Sequence, residues 1–291
     1  MTKDYPEIEQ AFANLSAKYV ANPQEIHDGL ILKCVNDHYQ EALEYFPRDQ
    51  IVGCFLQGSQ NYGLDYEGSD VDTKLIVVPS FKDICLNHKP VSTTHVRAND
   101  EHTDWKDIRL YVETFRKQNL NFLEILFTPY LILNPLYKDQ WMRLVEHREE
   151  IAHMNVNRAV KSMKGVAMEK YHAMEHAYPS KVDVLAKWGY DPKQLHHLFR
   201  VDEYLTRYIN GDSYEACLRP YDPEYLIEVK RGKYSLETAR KIANSTINHI
   251  EGLSSVFCNK HPEQEDPAMR ELLEDVSYNI MKIAVEKELG V

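Results

Sequence analysis

The chain has 291 residues, 43% of them hydrophobic and 27% charged, with a formal net charge of −11. That length allows one large domain or two modest ones with an ample core. No stretch approaches the roughly 20 apolar residues of a membrane span, and the acidic balance argues against a surface built to grip duplex DNA.

Gln24 to Phe46 reads as a helix, with Ile26, Leu30, Val35, Tyr39, Leu43 and Phe46 at three-to-four spacing and Pro47 as its stop. IVGCFLQ (51–57) is a short buried-strand candidate, and TKLIVVP (73–79) a stronger one, closed by Pro79. After a polar stretch around 97–104, DIRLYVETF (107–115) opens with alternation: Ile108, Leu110 and Val112 on one face, Asp107, Arg109 and Tyr111 on the other. NFLEILF (121–127) is apolar apart from Glu124 and is followed by Pro129. From about residue 135 the texture becomes helical, over 135–150, 155–177, 191–210, 236–252 and 267–288. These elements predict an α+β chain: a small mixed unit over 1–130, then a mostly helical domain over 131–291.

Charge is uneven along this order. Residues 1–50 carry 4 Lys/Arg against 9 Asp/Glu, whereas residues 151–200 carry 8 against 4. The second region suits a polyanion such as a triphosphate or an RNA end, or equally a solvated helix face. The five cysteines form no CxxC pair, which suggests free thiols in a reducing compartment. With no basic or apolar leader in MTKDYPEIEQ, a cytoplasmic location is expected.

The most informative stretch is GSQNYGLDYEGSDVD (58–72), which runs straight into the second strand candidate. Asp70 and Asp72 stand two apart at a strand entrance, which turns both carboxylates to one face. Such a pair repels itself unless a cation sits beside it. Mg²⁺ takes one or two carboxylates and keeps positions for water and phosphate oxygens. Upstream, Gly58 lets backbone approach a phosphate and the Ser59 hydroxyl can donate to it. The bland alternatives are an Asx-turn for the aspartates and a helix cap for Ser59.

GS, ten residues, then DVD resembles the signature of the polymerase-beta-type nucleotidyltransferases, a superfamily that includes CCA-adding enzymes, poly(A) polymerases and aminoglycoside nucleotidyltransferases. The fuller string, with Tyr62–Gly63 and Ser69 in register, most resembles the bacterial and phage RNA-repair-pathway polymerase-beta family. NLNFLEILFTP (119–129) and DPKQLHHLFRVDEYL (191–205) are similar to two further segments of that family, and Lys230–Arg231–Gly232 to a turn in it.

The resemblance implies transfer of an NMP from an NTP to an acceptor hydroxyl, an RNA end first among acceptors, with two Mg²⁺ ions (Mn²⁺ in their place). Nucleotidyl transfer to a protein or small molecule, or a regulator that binds nucleotide without turnover, stays open. Asp70 and Asp72 would hold one ion. A third carboxylate would complete the set for the second, and Asp107 is the choice because it opens the alternating segment, with Asp104 the runner-up. Gly58 and Ser59 would meet the triphosphate. So would Lys193, His197 and Arg200, which fall at i, i+4 and i+7 on one helix stripe. Arg158, Lys161 and Lys164 on the preceding helix read better as a solvated face than as an RNA guide.

Overall fold

The computed structural model describes residues 23–66, 69–99 and 101–291; Glu67 and Gly68, inside the glycine-rich stretch, lie outside the described residues. Helix α1 (Pro23–Ala42) leads to β1 (Ile51–Gln57), and β2 (Asp72–Val77) follows the glycine-rich loop. A short helix α2 (Phe81–Cys85) leads to β3 (Ser92–Val96), β4 (His102–Asp107) and helix α3 (Ile108–Arg116). Helix α4 (Leu120–Leu123) and β5 (Leu131–Leu133) complete the first half. The strands form one mixed sheet in the order β3-β4-β2-β1-β5. Only β2 and β4 run parallel, with Lys74 opposite Asp104 and Val77 opposite Asp107.

Period two fixes what each face of β2 and β4 carries. Thr73, Leu75 and Val77 face α1, where Leu75 and Val77 pack with Val35, Tyr39 and Trp105. Asp72, Lys74 and Ile76 face the other way, and so do His102, Asp104 and Lys106 across the parallel register.

On that second face the core continues without a break into the helical half, as one apolar cluster running from Val52 to Ala284. The expected division near residue 130 is therefore crossed by shared packing. Phe55 of β1 meets the Trp141 ring at 4.5 Å between centroids, and the Tyr214 hydroxyl donates to the Leu120 carbonyl at 3.0 Å. The helical half comprises α5 (Lys138–Glu146), α6 (Arg148–His153), α7 (Val156–Ala173), α8 (Val182–Trp188), α9 (Pro192–Ile209), α10 (Tyr214–Leu218), α11 (Pro223–Lys230), α12 (Leu236–Lys260) and α13 (Pro267–Leu289). Helix α9 lies at its centre, packed against α7, α11 and α12. No helix among the described residues is long and apolar enough to cross a membrane.

One expected strand is a helix. Residues 108–116 coil because Ile108, Tyr111, Val112 and Phe115, all buried, repeat at i, i+3, i+4 and i+7. Asp107 starts that helix as its N-cap, accepting from the Arg109 backbone N–H at 2.9 Å. The strand thus ends at Asp107 instead of beginning there.

Gly53 lets β1 lie close to β5. A Cβ there would stand 2.8 Å from the Ile132 carbonyl oxygen and 2.9 Å from the Phe55 ring. Gly53→Ala is therefore expected to destabilise the fold by about 1–3 kcal/mol, the usual cost of overpacking, seen as a lower urea midpoint at unchanged slope. An unchanged midpoint would show that β5 yields freely.

Candidate active site

The glycine-rich loop is braced from three sides. The Asn61 side chain donates to the Leu56 carbonyl at 3.1 Å and accepts from the Thr128 hydroxyl at 2.7 Å. Gln60 donates to the Asp70 carbonyl at 2.7 Å, tying the start of the loop to its end. Gly58 sits at φ 104°, ψ −154°, backbone that L side chains rarely adopt. Its N–H bonds the carboxyl of Glu124, which is buried. The Ser59 hydroxyl lies next to it in the lining of the same cleft.

This loop forms one wall of a cleft of about 290 Å³ between the sheet and the helical half. Asp70 and Asp72 line it on the sheet side. The helical side brings Lys170 from α7, Lys193, His196, His197 and Arg200 from α9, and Lys230 from the last turn of α11. The stripe at i, i+4 and i+7 on α9 thus faces the aspartates. Among the described residues, Lys193, Arg200 and Lys230 have no ion-pair partner within 4 Å, whereas Lys170 pairs with Glu169 at 2.7 Å. Arg200 lies over the Tyr62 ring at 3.5 Å and Lys230 over the Tyr66 ring at 4.6 Å. The Arg200 Nε is buried without a hydrogen-bond partner. Both rings belong to the loop, so cation–π contact joins the loop to the helices.

The electrostatics follow from this crowding. Burial, with Lys193 adding to it, lowers Lys230 to about 8, while Asp65 and Asp70 pull the other way. Burial lowers His196 to about 4, and its Nδ1 meets the Leu226 carbonyl at 2.8 Å. Burial and the neighbouring His196, Arg200, Lys170 and Lys193 hold His197 well below its ordinary value. The cleft thus disfavours a charge on His197, a member of that stripe.

Asp107 is not part of this cleft. It faces the α1 side of the sheet, five residues beyond Asp72 in the parallel register, which is roughly 16 Å along the strands. It is buried, and both carboxylate oxygens are engaged by Arg109, at 2.9 and 2.6 Å. The carboxylate that shares a face with Asp72 is Asp104, diagonal to it on β4 and within roughly 7–8 Å between Cα atoms. Of the two expected third carboxylates, Asp104 alone shares the face of Asp72, and it lies outside the residues that line the cleft. Asp104 is itself engaged: its Oδ2 stands 3.2 Å from the Lys74 Nζ, and its Oδ1 accepts from the Thr94 hydroxyl at 2.6 Å. Burial works to raise its pKa, but Lys74, Thr94 and Lys106 outweigh that and hold it below the usual carboxylate value.

The donors fit a hard divalent cation at Asp70 and Asp72, which both face the cleft and carry oxygen ligands. Asp72 is anchored for this by the His102 backbone N–H at 3.0 Å. Among the described residues no three carboxylate, histidine or cysteine side chains stand together as a ready cluster.

Three cleft residues were not among the expected site residues: Lys170, which carries no mark in the sequence, Lys230, noted only as part of a turn, and Glu124. The sequence signal for Glu124 was an acid inside an apolar run. The basic row on α7 is ion-paired: Arg158 and Lys161 share Glu263, the latter at 3.1 Å, and Lys164 pairs with Glu251 at 3.3 Å, two carboxylates against three cations.

No protein-family model matches the chain, and no curated protein matches it in sequence. Its chemistry is read from the geometry and the motif alone.

Burial pushes the Glu124 carboxyl up to about 8, with Arg200 and the Gly58 N–H opposing. Between the unfolded carboxylate value and about 8, the folded chain keeps a proton that the unfolded chain has lost. Stability therefore falls as pH rises through that window, by at most about 1.4 kcal/mol per unit, and levels off above it. Glu124→Gln should flatten that slope in urea titrations between pH 5 and 8.5. A wild-type slope retained by the variant would contradict the burial argument.

Proposed function

We propose that the chain is a nucleotidyltransferase: NTP and an acceptor hydroxyl give an NMP ester and pyrophosphate. The observation that carries this reading is the facing of Asp70 and Asp72 across one cleft by Lys193, Arg200 and Lys230, which have no ion-pair partner among the described residues. A divalent cation on the aspartates, with a triphosphate between it and the three cations, would neutralise both walls at once.

The bound ion, Mg²⁺ first, would supply charge neutralisation at the phosphates and the pyrophosphate leaving group. The chain's own residues do the rest. Asp70 and Asp72 would hold that ion at the triphosphate end of the cleft. Ser59 donates to a phosphate oxygen, while Lys193, Arg200 and Lys230 bind the remaining negative charge. The acceptor oxygen attacks the α-phosphorus, the bond from that phosphorus to the β-bridging oxygen breaks, and the hydroxyl proton ends on solvent or pyrophosphate. Positioning and charge account for most of such a reaction, so few groups need move a proton.

An RNA end is the first acceptor, on the resemblance of the three motif segments. The ion-paired α7 face favours a second reading, in which the acceptor is a protein or small-molecule hydroxyl, since it offers little to a long RNA.

The test uses each NTP labelled at the α-phosphate, Mg²⁺, a small-RNA pool and total cell protein. Label should move into one acceptor class. Asp70→Asn should lower it by at least about 100-fold, the scale of removing one charge-stabilising group, with the fold unchanged by circular dichroism. Transfer undiminished in Asp70→Asn would sink the assignment.

A further inference from the structure

The second-ion position is where this chain departs from what its motif implies. Lys74 follows Asp72 by two residues on the same face of β2 and lies opposite Asp104 in the register. Its side chain is only 2% exposed. The ammonium stands 3.2 Å from Asp104 Oδ2 and 4.0 Å from the centroid of the Phe122 ring. Lys106, the next residue on that face of β4, reaches the same ring at 4.1 Å. With Thr94 on Oδ1, each oxygen of Asp104 has a partner, and its negative charge is matched inside the protein. Asp72, by contrast, keeps an oxygen free of hydrogen bonds among the described residues, because the His102 contacts fall on Oδ1.

Resting on the nucleotidyltransferase reading, we propose that the cleft takes a single divalent ion, on Asp70 and Asp72, and that the Lys74 ammonium fills the place at Asp104 that a second ion would occupy. A fixed lysine there is a compact single charge already desolvated by the fold, so it needs no recruitment from solution. To admit a second ion, Asp104 would have to shed Lys74 into apolar surroundings, leaving a buried charge unpaired. Lys74 acts through Asp104 as a positioning residue: it holds that carboxylate still on the sheet face it shares with Asp72 without binding substrate itself.

Ion counting tests this apart from turnover. Each of the four α,β-methylene nucleoside triphosphates is equilibrated with the protein and Mn²⁺, and bound manganese is counted per chain by electron paramagnetic resonance. The wild type and Lys74→Arg should bind one ion. Lys74→Met, which frees Asp104, should bind two, and its activity should depend on Mn²⁺ with a Hill coefficient rising from about one towards two. Asp104→Asn should still bind one, and Asp72→Asn none. Two ions in the wild type, or loss of the ion in Asp104→Asn, would overturn the inference while leaving the transferase reading intact. If Lys74→Met does not fold, the wild-type count and Asp104→Asn still decide. An absence of manganese-dependent nucleotide binding in the wild type would overturn both.

Discussion

Asp70 in the loop and Asp72 at the start of β2 face Lys193, Arg200 and Lys230 across a narrow cleft, and among the described residues those three cations have no carboxylate within 4 Å. Burying cations is costly and crowding them adds to the cost, and both lower Lys230 and His197 from their ordinary values. Everything around the cleft keeps the two walls from collapsing onto each other. The sheet is anchored through Gly53 and β5, and the loop by Asn61, Thr128 and Gln60. The helices are tied to the sheet half through the Tyr214 hydroxyl and the Arg116–Glu265 pair. A ligand that carries both signs, a metal-bound polyphosphate, is the species that the proposed function puts between these walls.

Parallel pairing of β2 with β4 decides what sits beside Asp72. The register brings Asp104 and Lys74 onto its face and sends Asp107 to the other. Asp107 then takes a different task, capping α3 and engaging Arg109. The same alternation that puts Asp72 at the cleft therefore keeps Asp107 out of it, and no side-chain rotation reverses that.

The strand after the loop, the paired aspartates and the α9 stripe were legible because their signals are local: a period of two, a glycine-serine turn, a period of 3.6. Asp107 was expected at the start of a strand, not its end, for a local reason as well. Ile108, Leu110 and Val112 alternate, yet Ile108, Tyr111, Val112 and Phe115 also fit a helix, and nine residues do not separate the two periods. Long-range packing chose the helix, burying Tyr111 and Phe115 against the core. Lys170, Lys230 and Glu124 were invisible as a group, since α7, α11 and the segment after α4 converge only once the chain has folded. The shared core across residue 130 was hidden likewise, because texture changes there while packing does not.

The central claim is that the cleft holds a triphosphate through a divalent ion on one wall and cations on the other. Calorimetric titration of the wild type with each NTP, with Mg²⁺ present and then with the metal chelated, tests it most directly. At least one NTP should bind with Mg²⁺, its affinity should fall by about tenfold or more on chelation, and rising salt should weaken it further. Equal affinity with and without the metal, or no binding of any NTP, would contradict the account.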